Sequence, residues 1–254
     1  LCGSNIEERF SATYEGEIIC WDCAMGDNQT SKNDVHRTTD PAKVVLGESG
    51  LYHKSLCDYV INVATGCTHG CKFCYVPSTP NITARQDMLA DRVDVEDGQQ
   101  EWGSYLLYRD DLPERLATTL ERKRKWNQTD RGRGVVMLSS GTDCYQDRRT
   151  AQITRGCVIE LLKHDVPARI LTRSPSVVRD IDVYERAAEL SENKDGDLVR
   201  VGSSIPSLDD EQVKALEPGA PAPSARLRAL NKLSERGIPT YVSMSPTYPT
   251  QTRE

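Results

Sequence analysis

Three cysteines carry the most chemistry in this sequence. They lie in Gly66-Cys67-Thr68-His69-Gly70-Cys71-Lys72-Phe73-Cys74-Tyr75, with the spacing C-x3-C-x2-C. Thiolates this close let one loop wrap a polynuclear metal site, which is how iron–sulfur clusters are held. Three ligands on a four-iron cube leave one iron open, and an open position is what a reactive metal centre needs. The competing reading is structural zinc, with Cys57 or His69 as fourth ligand. Zinc usually prefers paired knuckles. A second metal-ligand spacing, Cys20-Trp21-Asp22-Cys23, has Cys2 and Cys57 as partners for a second metal or cluster; two free thiols are the alternative.

These residues need elements to position them. Tyr59–Val63 is a short apolar, β-branched run, a buried-strand signal, and the cysteine triplet follows it directly. Residues 77–100 read as loop, and Trp102–Tyr108 as a short extra strand. A helix is expected from Asp111 as N-cap with Pro113 in its first turn, its apolar stripe Leu112, Leu116 and Leu120. Strands are expected at Val135–Leu138, Ala168–Thr172, Leu198–Gly202 and Ile238–Met244. Helices are expected at Gln152–His164, Val177–Leu190, Leu208–Leu216 and Ser224–Arg236.

Strands alternating with helices mean right-handed βαβ units and a parallel sheet. Each strand ends in small polar residues, so the pattern predicts an α/β fold built as a partial (β/α) barrel, with its site at the C-terminal strand ends. Residues 1–55 are polar and aperiodic and read as an irregular N-terminal extension; residues 56–254 form the barrel domain. The chain begins at Leu1 and reaches Glu254 just past the fifth strand, so a last helix or β/α unit is expected beyond it.

Composition narrows the class. The 254 residues are 37% hydrophobic and 28% charged, which fits a soluble globular protein. No apolar run approaches the roughly 20 residues of a membrane helix. A net charge of −6 removes any general basic surface for nucleic acid. The run Glu121-Arg122-Lys123-Arg124-Lys125 is the best local candidate for a phosphate contact, against the default of a solvated helix end. Nine cysteines, an odd number with no signal peptide ahead of them, point to reduced thiols in a cytoplasm.

The triplet with Phe73 before its last cysteine, set after the first barrel strand, resembles the signature of the radical S-adenosylmethionine (radical SAM) superfamily. Further segments resemble its spore photoproduct lyase branch. They are Ser140-Gly141-Thr142-Asp143-Cys144-Tyr145-Gln146, Leu171-Thr172-Arg173-Ser174-Pro175, Glu217-Pro218 through Arg226, and Gly237-Ile238-Pro239. The resemblance implies that Cys67, Cys71 and Cys74 hold a [4Fe-4S] cluster whose open iron chelates S-adenosylmethionine. It implies reductive cleavage to a 5′-deoxyadenosyl radical that abstracts hydrogen from substrate, and a reductant such as flavodoxin or ferredoxin. The substrate classes are a nucleic-acid base, as for a DNA-lesion lyase, or a small molecule or peptide. A non-catalytic iron–sulfur or zinc protein is the competing class.

By the same resemblance, Phe73 and Tyr75 flank the adenine, and ordinary core packing is their alternative. Thr142 and Asp143 sit at the second strand's end, where Asp143 would accept from ribose or amino group or else cap a helix. Arg173, where relatives often carry Lys, would meet the methionine carboxylate with its guanidinium fork. Ser204 would bind ribose or methionine, against a plain strand-end turn, and Arg226 matches the branch pattern, against a solvent-facing helix position. One departure bears on mechanism: Ser140 stands where spore photoproduct lyase has a hydrogen-donating cysteine. Cys144, four residues on, is then the expected thiol of a radical relay on the rim, with a spectator loop cysteine as its alternative.

Overall fold

The computed structural model describes residues 12–14, 17–19, 35–54, 56–122, 134–192, 194 and 196–247. Two units separate, Leu1–Lys32 and Asn33–Glu254. In the first, β1 (Ala12–Tyr14) and β2 (Glu17–Ile19) pair antiparallel. In the second, β3 (His36–Thr39) and β4 (Gly47–Glu48) precede β5 (Tyr59–Ile61) and β6 (Ala64–Thr65). Helices α1 (Pro80–Thr83) and α2 (Gln86–Val93) lead to β7 (Tyr105–Tyr108) and α3 (Leu112–Arg122). Then follow β8 (Val136–Leu138), α4 (Arg148–Lys163), β9 (Ala168–Thr172), α5 (Ile181–Ser191) and β10 (Val199–Ser204). Helices α6 (Asp210–Leu216) and α7 (Pro223–Glu235) and strand β11 (Thr240–Ser243) complete the described fold.

The main sheet has the order β11-β10-β9-β8-β5-β4. Its strands β5, β8, β9, β10 and β11 are all parallel, and β4 runs antiparallel on the β5 edge. This is the α/β partial barrel that the alternating pattern predicted, an open sheet with its strand ends on one rim. A smaller sheet, β3-β7-β6, joins β3 parallel and β6 antiparallel to β7.

The stripe Leu112, Leu116 and Leu120 is buried as its spacing required. Helix α4 starts four residues earlier than expected. Asp147 caps it, accepting from Thr150 N at 2.8 Å while the Thr150 side chain closes a capping box. The expected helix over 177–190 is a 3₁₀ turn, Pro175–Asp180, running into α5. Pro175 opens that turn, and Ser174 accepts from Ser176 N.

Two segments differ from the sequence reading. Residues 77–100 contain α1 and α2, because Ile82, Leu89 and Val93 turn one apolar face onto buried Tyr105 and Leu107. Residues 36–48, placed in an irregular extension, supply β3 and β4 to the two sheets of the larger unit. Buried Asp40 anchors them: it binds Arg85 at 2.5 Å, Thr65 at 2.5 Å and Arg109 at 3.4 Å.

Candidate functional site

The cysteine loop leaves the sheet after β5 and β6 through Gly66. Its φ of +88° is open to glycine, and a Cβ there would lie 2.3 Å from the Tyr105 carbonyl oxygen. Four backbone hydrogen bonds tie the loop to distant segments. Thr142 Oγ1 donates to Gly66 O at 2.5 Å, and Thr68 N donates to Gln146 Oε1 at 2.6 Å. On the other side, Gly219 N donates to His69 O at 3.1 Å and Lys72 N donates to Leu216 O at 2.9 Å. The turn between α6 and α7 therefore lies against the loop. Gly219 is required there, because a Cβ would sit 2.4 Å from Thr68 O.

Cys67 and Cys71 are buried and Cys74 is half-buried. Burial pushes all three thiols up, Cys71 to about 12. The positive charge of Arg173 acts the other way on Cys71 and Cys74, as does that of Arg226 on Cys71. The donor chemistry suits an iron–sulfur cluster: three soft thiols on one loop, within electrostatic reach of one another, facing guanidinium groups that favour thiolate. Iron lowers thiol pKa further on binding. Among the described residues no three His, Cys, Asp or Glu side chains converge on a single-ion position.

Both fourth ligands of the zinc alternative are buried. His69 is buried with Nδ1 3.6 Å from Asp143 Oδ2, and burial pulls its pKa down. The Cys57 thiol donates to Ser49 Oγ at 3.3 Å. Cys2, Cys20 and Cys23, and Lys123 through Lys125, lie outside the described residues.

The strand ends bring most of the remaining predicted residues to this loop. Phe73 is half-buried, and the Arg173 guanidinium carbon lies 5.8 Å from its ring centroid. Arg173 Nε donates to Glu217 Oε2 at 3.2 Å, and its terminal nitrogens make no hydrogen bond among the described residues. Tyr75 is 64% exposed, and its hydroxyl donates to Ser140 O at 3.1 Å. That exposure removes core packing as the explanation of Tyr75. Thr142 uses its hydroxyl on Gly66, and Gln146 Nε2 donates to the same oxygen at 2.8 Å. Ser204 is buried at the end of β10, and its carbonyl accepts from Arg226 Nη1 at 2.8 Å.

Three residues depart from expectation. Asp143 caps no helix among the described residues. Its oxygens take Tyr145 N at 2.8 Å, Thr172 Oγ1 at 2.6 Å and Arg173 N at 2.7 Å, so it braces the ends of β8 and β9. Cys144 is fully buried beneath the rim. Its thiol faces the carbonyls of Leu138 and Leu171 at 3.8 and 3.9 Å, and burial raises its pKa well above the ordinary value. A thiol sealed there cannot meet a substrate, and the expected relay on Cys144 is withdrawn. Arg226, read as equally suited to solvent, is buried with its guanidinium on Glu217, Ser204 and Pro221.

Sequence reasoning missed Glu217 and Gln146 as parts of the site. Both lie in segments that carried the family resemblance, but a lone Glu or Gln has no spacing signature, and each acts on residues far away in the chain.

The radical SAM superfamily model matches residues 61–254. An uncharacterised protein of Acidianus two-tailed virus is 35% identical over 211 residues, spanning 82% of this chain and 62% of its own length. One from Methanocaldococcus jannaschii is 26% identical over 192 residues, spanning 75% and 61%. The chain thus covers about three-fifths of the length of these relatives. Spore photoproduct lyase complexed with dinucleoside spore photoproduct shares the fold with a TM-score of 0.56 at 16% identity, over 84% of this chain and 52% of that one. A mutant of the same enzyme with bound AdoMet and dinucleoside spore photoproduct gives a TM-score of 0.51 at 16% identity, over 85% and 52%.

Proposed function

The chain belongs to the radical SAM superfamily, and from that membership we propose that it is an enzyme that cleaves S-adenosylmethionine reductively and takes hydrogen from a substrate. Cys67, Cys71 and Cys74 would hold a [4Fe-4S] cluster, fed by a reductant such as flavodoxin or ferredoxin. When bound, the cluster and S-adenosylmethionine supply one-electron cleavage of the sulfonium and a carbon-centred radical, chemistry that belongs to the cofactor. The chain's own residues bind, orient and exclude water. One observation carries the reading: a three-thiol loop at the strand-end rim with a guanidinium fork held over Phe73, its terminal nitrogens unused.

Those terminal nitrogens suit a carboxylate, so Arg173 takes the methionine carboxylate. Phe73, and Tyr75 tethered to Ser140 O, offer ring faces to adenine. Thr142 would act through the Gly66 carbonyl, and Ser204 from the end of β10. Asp143 acts behind them, orienting the Arg173 backbone.

For the substrate we favour a nucleic-acid base, supported by the shared fold with spore photoproduct lyase. The net charge of −6 favours a small molecule or peptide instead. Anaerobic reconstitution tests the first step. The expected result is about four irons per chain, with 5′-deoxyadenosine and methionine formed when dithionite and S-adenosylmethionine are added. A loaded protein that never consumes S-adenosylmethionine overturns the reading in favour of a non-catalytic iron–sulfur protein. Deuterium transfer from labelled oligonucleotides into 5′-deoxyadenosine, or its absence, then decides the substrate class.

A further inference from the structure

Glu217 lies beside the cysteine loop and is completely buried. One of its oxygens, Oε2, accepts from two guanidinium groups, Arg226 Nη2 at 2.5 Å and Arg173 Nε at 3.2 Å. The two arginines are held in opposite ways. Arg226 is spent: Nε goes to Pro221 O at 2.7 Å, Nη1 to Ser204 O at 2.8 Å and Nη2 to Glu217. Arg173 gives only Nε to the carboxylate, and its side chain keeps 21% exposure toward solvent. The turn that carries Glu217 is itself bonded to the cysteine loop, through Lys72 N to Leu216 O and Gly219 N to His69 O. Glu217 is thus fixed to the thiols by backbone on one side and to Arg173 by a charge-assisted hydrogen bond on the other.

We propose that Glu217 is a positioning residue that sets where the Arg173 guanidinium stands relative to the cysteine loop, and so selects a ligand bearing a carboxylate there. The inference rests on the reading that Arg173 takes the methionine carboxylate of S-adenosylmethionine. A long, partly exposed side chain loses rotamer freedom when it binds; fixing it beforehand removes that cost at the moment of binding. Arg226 serves as the counterweight: tied to two carbonyls, it keeps the carboxylate from following Arg173 into other rotamers.

The test is direct binding to the cluster-loaded, unreduced protein, by calorimetry, of S-adenosylmethionine and of its decarboxylated analogue. The readout is the ratio of the two affinities, which general weakening of the fold does not move. The Arg173→Gln variant is expected to cut the ratio about tenfold, the worth of a charge-assisted contact. Glu217→Gln is expected to cut it severalfold, and the double variant no further than Arg173→Gln alone. Glu217→Asp, which keeps a charge for Arg226 but is too short to span both guanidiniums, is expected to lower the ratio as well and serves if the Gln variant does not fold. An unchanged ratio in Arg173→Gln overturns the carboxylate reading and the inference with it. A changed ratio in Arg173→Gln with an unchanged one in Glu217→Asp, or equal losses from Glu217→Gln with and without Arg173, overturns the inference alone.

Discussion

Among the buried carboxylates that hold two arginines, Asp40 and Glu217 do different work. Asp40 takes Arg85 and Arg109, with Thr65 donating as well, and it ties β3 to the small sheet and α2. There both arginines bind the fold a second time: Arg109 also donates to Val44 O, and Arg85 to Thr65. Glu217 takes Arg226 and Arg173, but the terminal nitrogens of Arg173 have no hydrogen-bond partner among the described residues. The same three-part knot is scaffold where both arginines go on to bind the fold, and site where one arginine gives the fold only its Nε. Where the second contact of each arginine goes separates the two cases, where counting charges does not.

The largest effect should fall on the Asp40 knot. Asp40→Asn leaves two guanidiniums around a neutral amide with no exposure of the original side chain. Breaking a buried pair by removing one partner costs about 3–5 kcal/mol. Denaturant unfolding should show that loss, while the folded fraction keeps its affinity for S-adenosylmethionine. A loss of affinity at equal iron content would erase the distinction between the knots.

The pH dependence follows from the same group. Burial alone would raise the Asp40 pKa, and the hydrogen bonds from Arg85, Thr65 and the Ala42 backbone, with the charge of Arg85, outweigh it and hold it below the ordinary value. The unfolded chain therefore binds the proton more readily, so this stability rises with pH. It is fully present above the unfolded value of about 3.9 and lost as pH falls through the lower folded one. The stability gap between wild type and Asp40→Asn should be flat from neutrality to about pH 5 and close below about pH 4. A gap that widens on acidification contradicts the lowered pKa.

Next in size is Gly219→Ala. The new methyl meets the Thr68 carbonyl at 2.4 Å, backbone against backbone, so one of the two segments must shift. Overpacking of this kind costs about 1–3 kcal/mol. The shift falls on the cysteine loop, so iron per chain after reconstitution should drop more than the melting temperature does. Full iron loading would show that the turn does not set the loop.

Much of this architecture is legible in the chain, and the rest fails for identifiable reasons. Strand β9 was expected at the residues where it occurs, and the leucine stripe of α3 and the cysteine loop also read directly, because each is a local pattern with its own period or spacing. Strands β3 and β4 are short, and β3 reads His-Arg-Thr-Thr; nothing apolar announces a strand whose anchor, Asp40, finds Arg85 and Arg109 far along the chain. Cys144 follows β8 by six residues, and the strand-end rule gives no facing for a side chain in that turn; this one turns inward. Glu217 and Arg226 are nine residues apart across a Pro-rich turn, and only the folded turn makes a polar pair of them.

The smallest stability effect should come from the open knot, and it is the sharpest contrast with Asp40. Arg173→Gln removes one of two cations and leaves Glu217 still matched by Arg226, a pair with no solvent exposure on either side. No charge is orphaned. The lost Nε contact at 3.2 Å is at a side chain with 21% exposure, where screening reduces its worth. The expected change in unfolding free energy is under about 1 kcal/mol, several times less than for Asp40→Asn. If Arg173→Gln instead destabilises the protein as much as Asp40→Asn does, Arg173 is part of the scaffold, and its open nitrogens have a structural partner in solution.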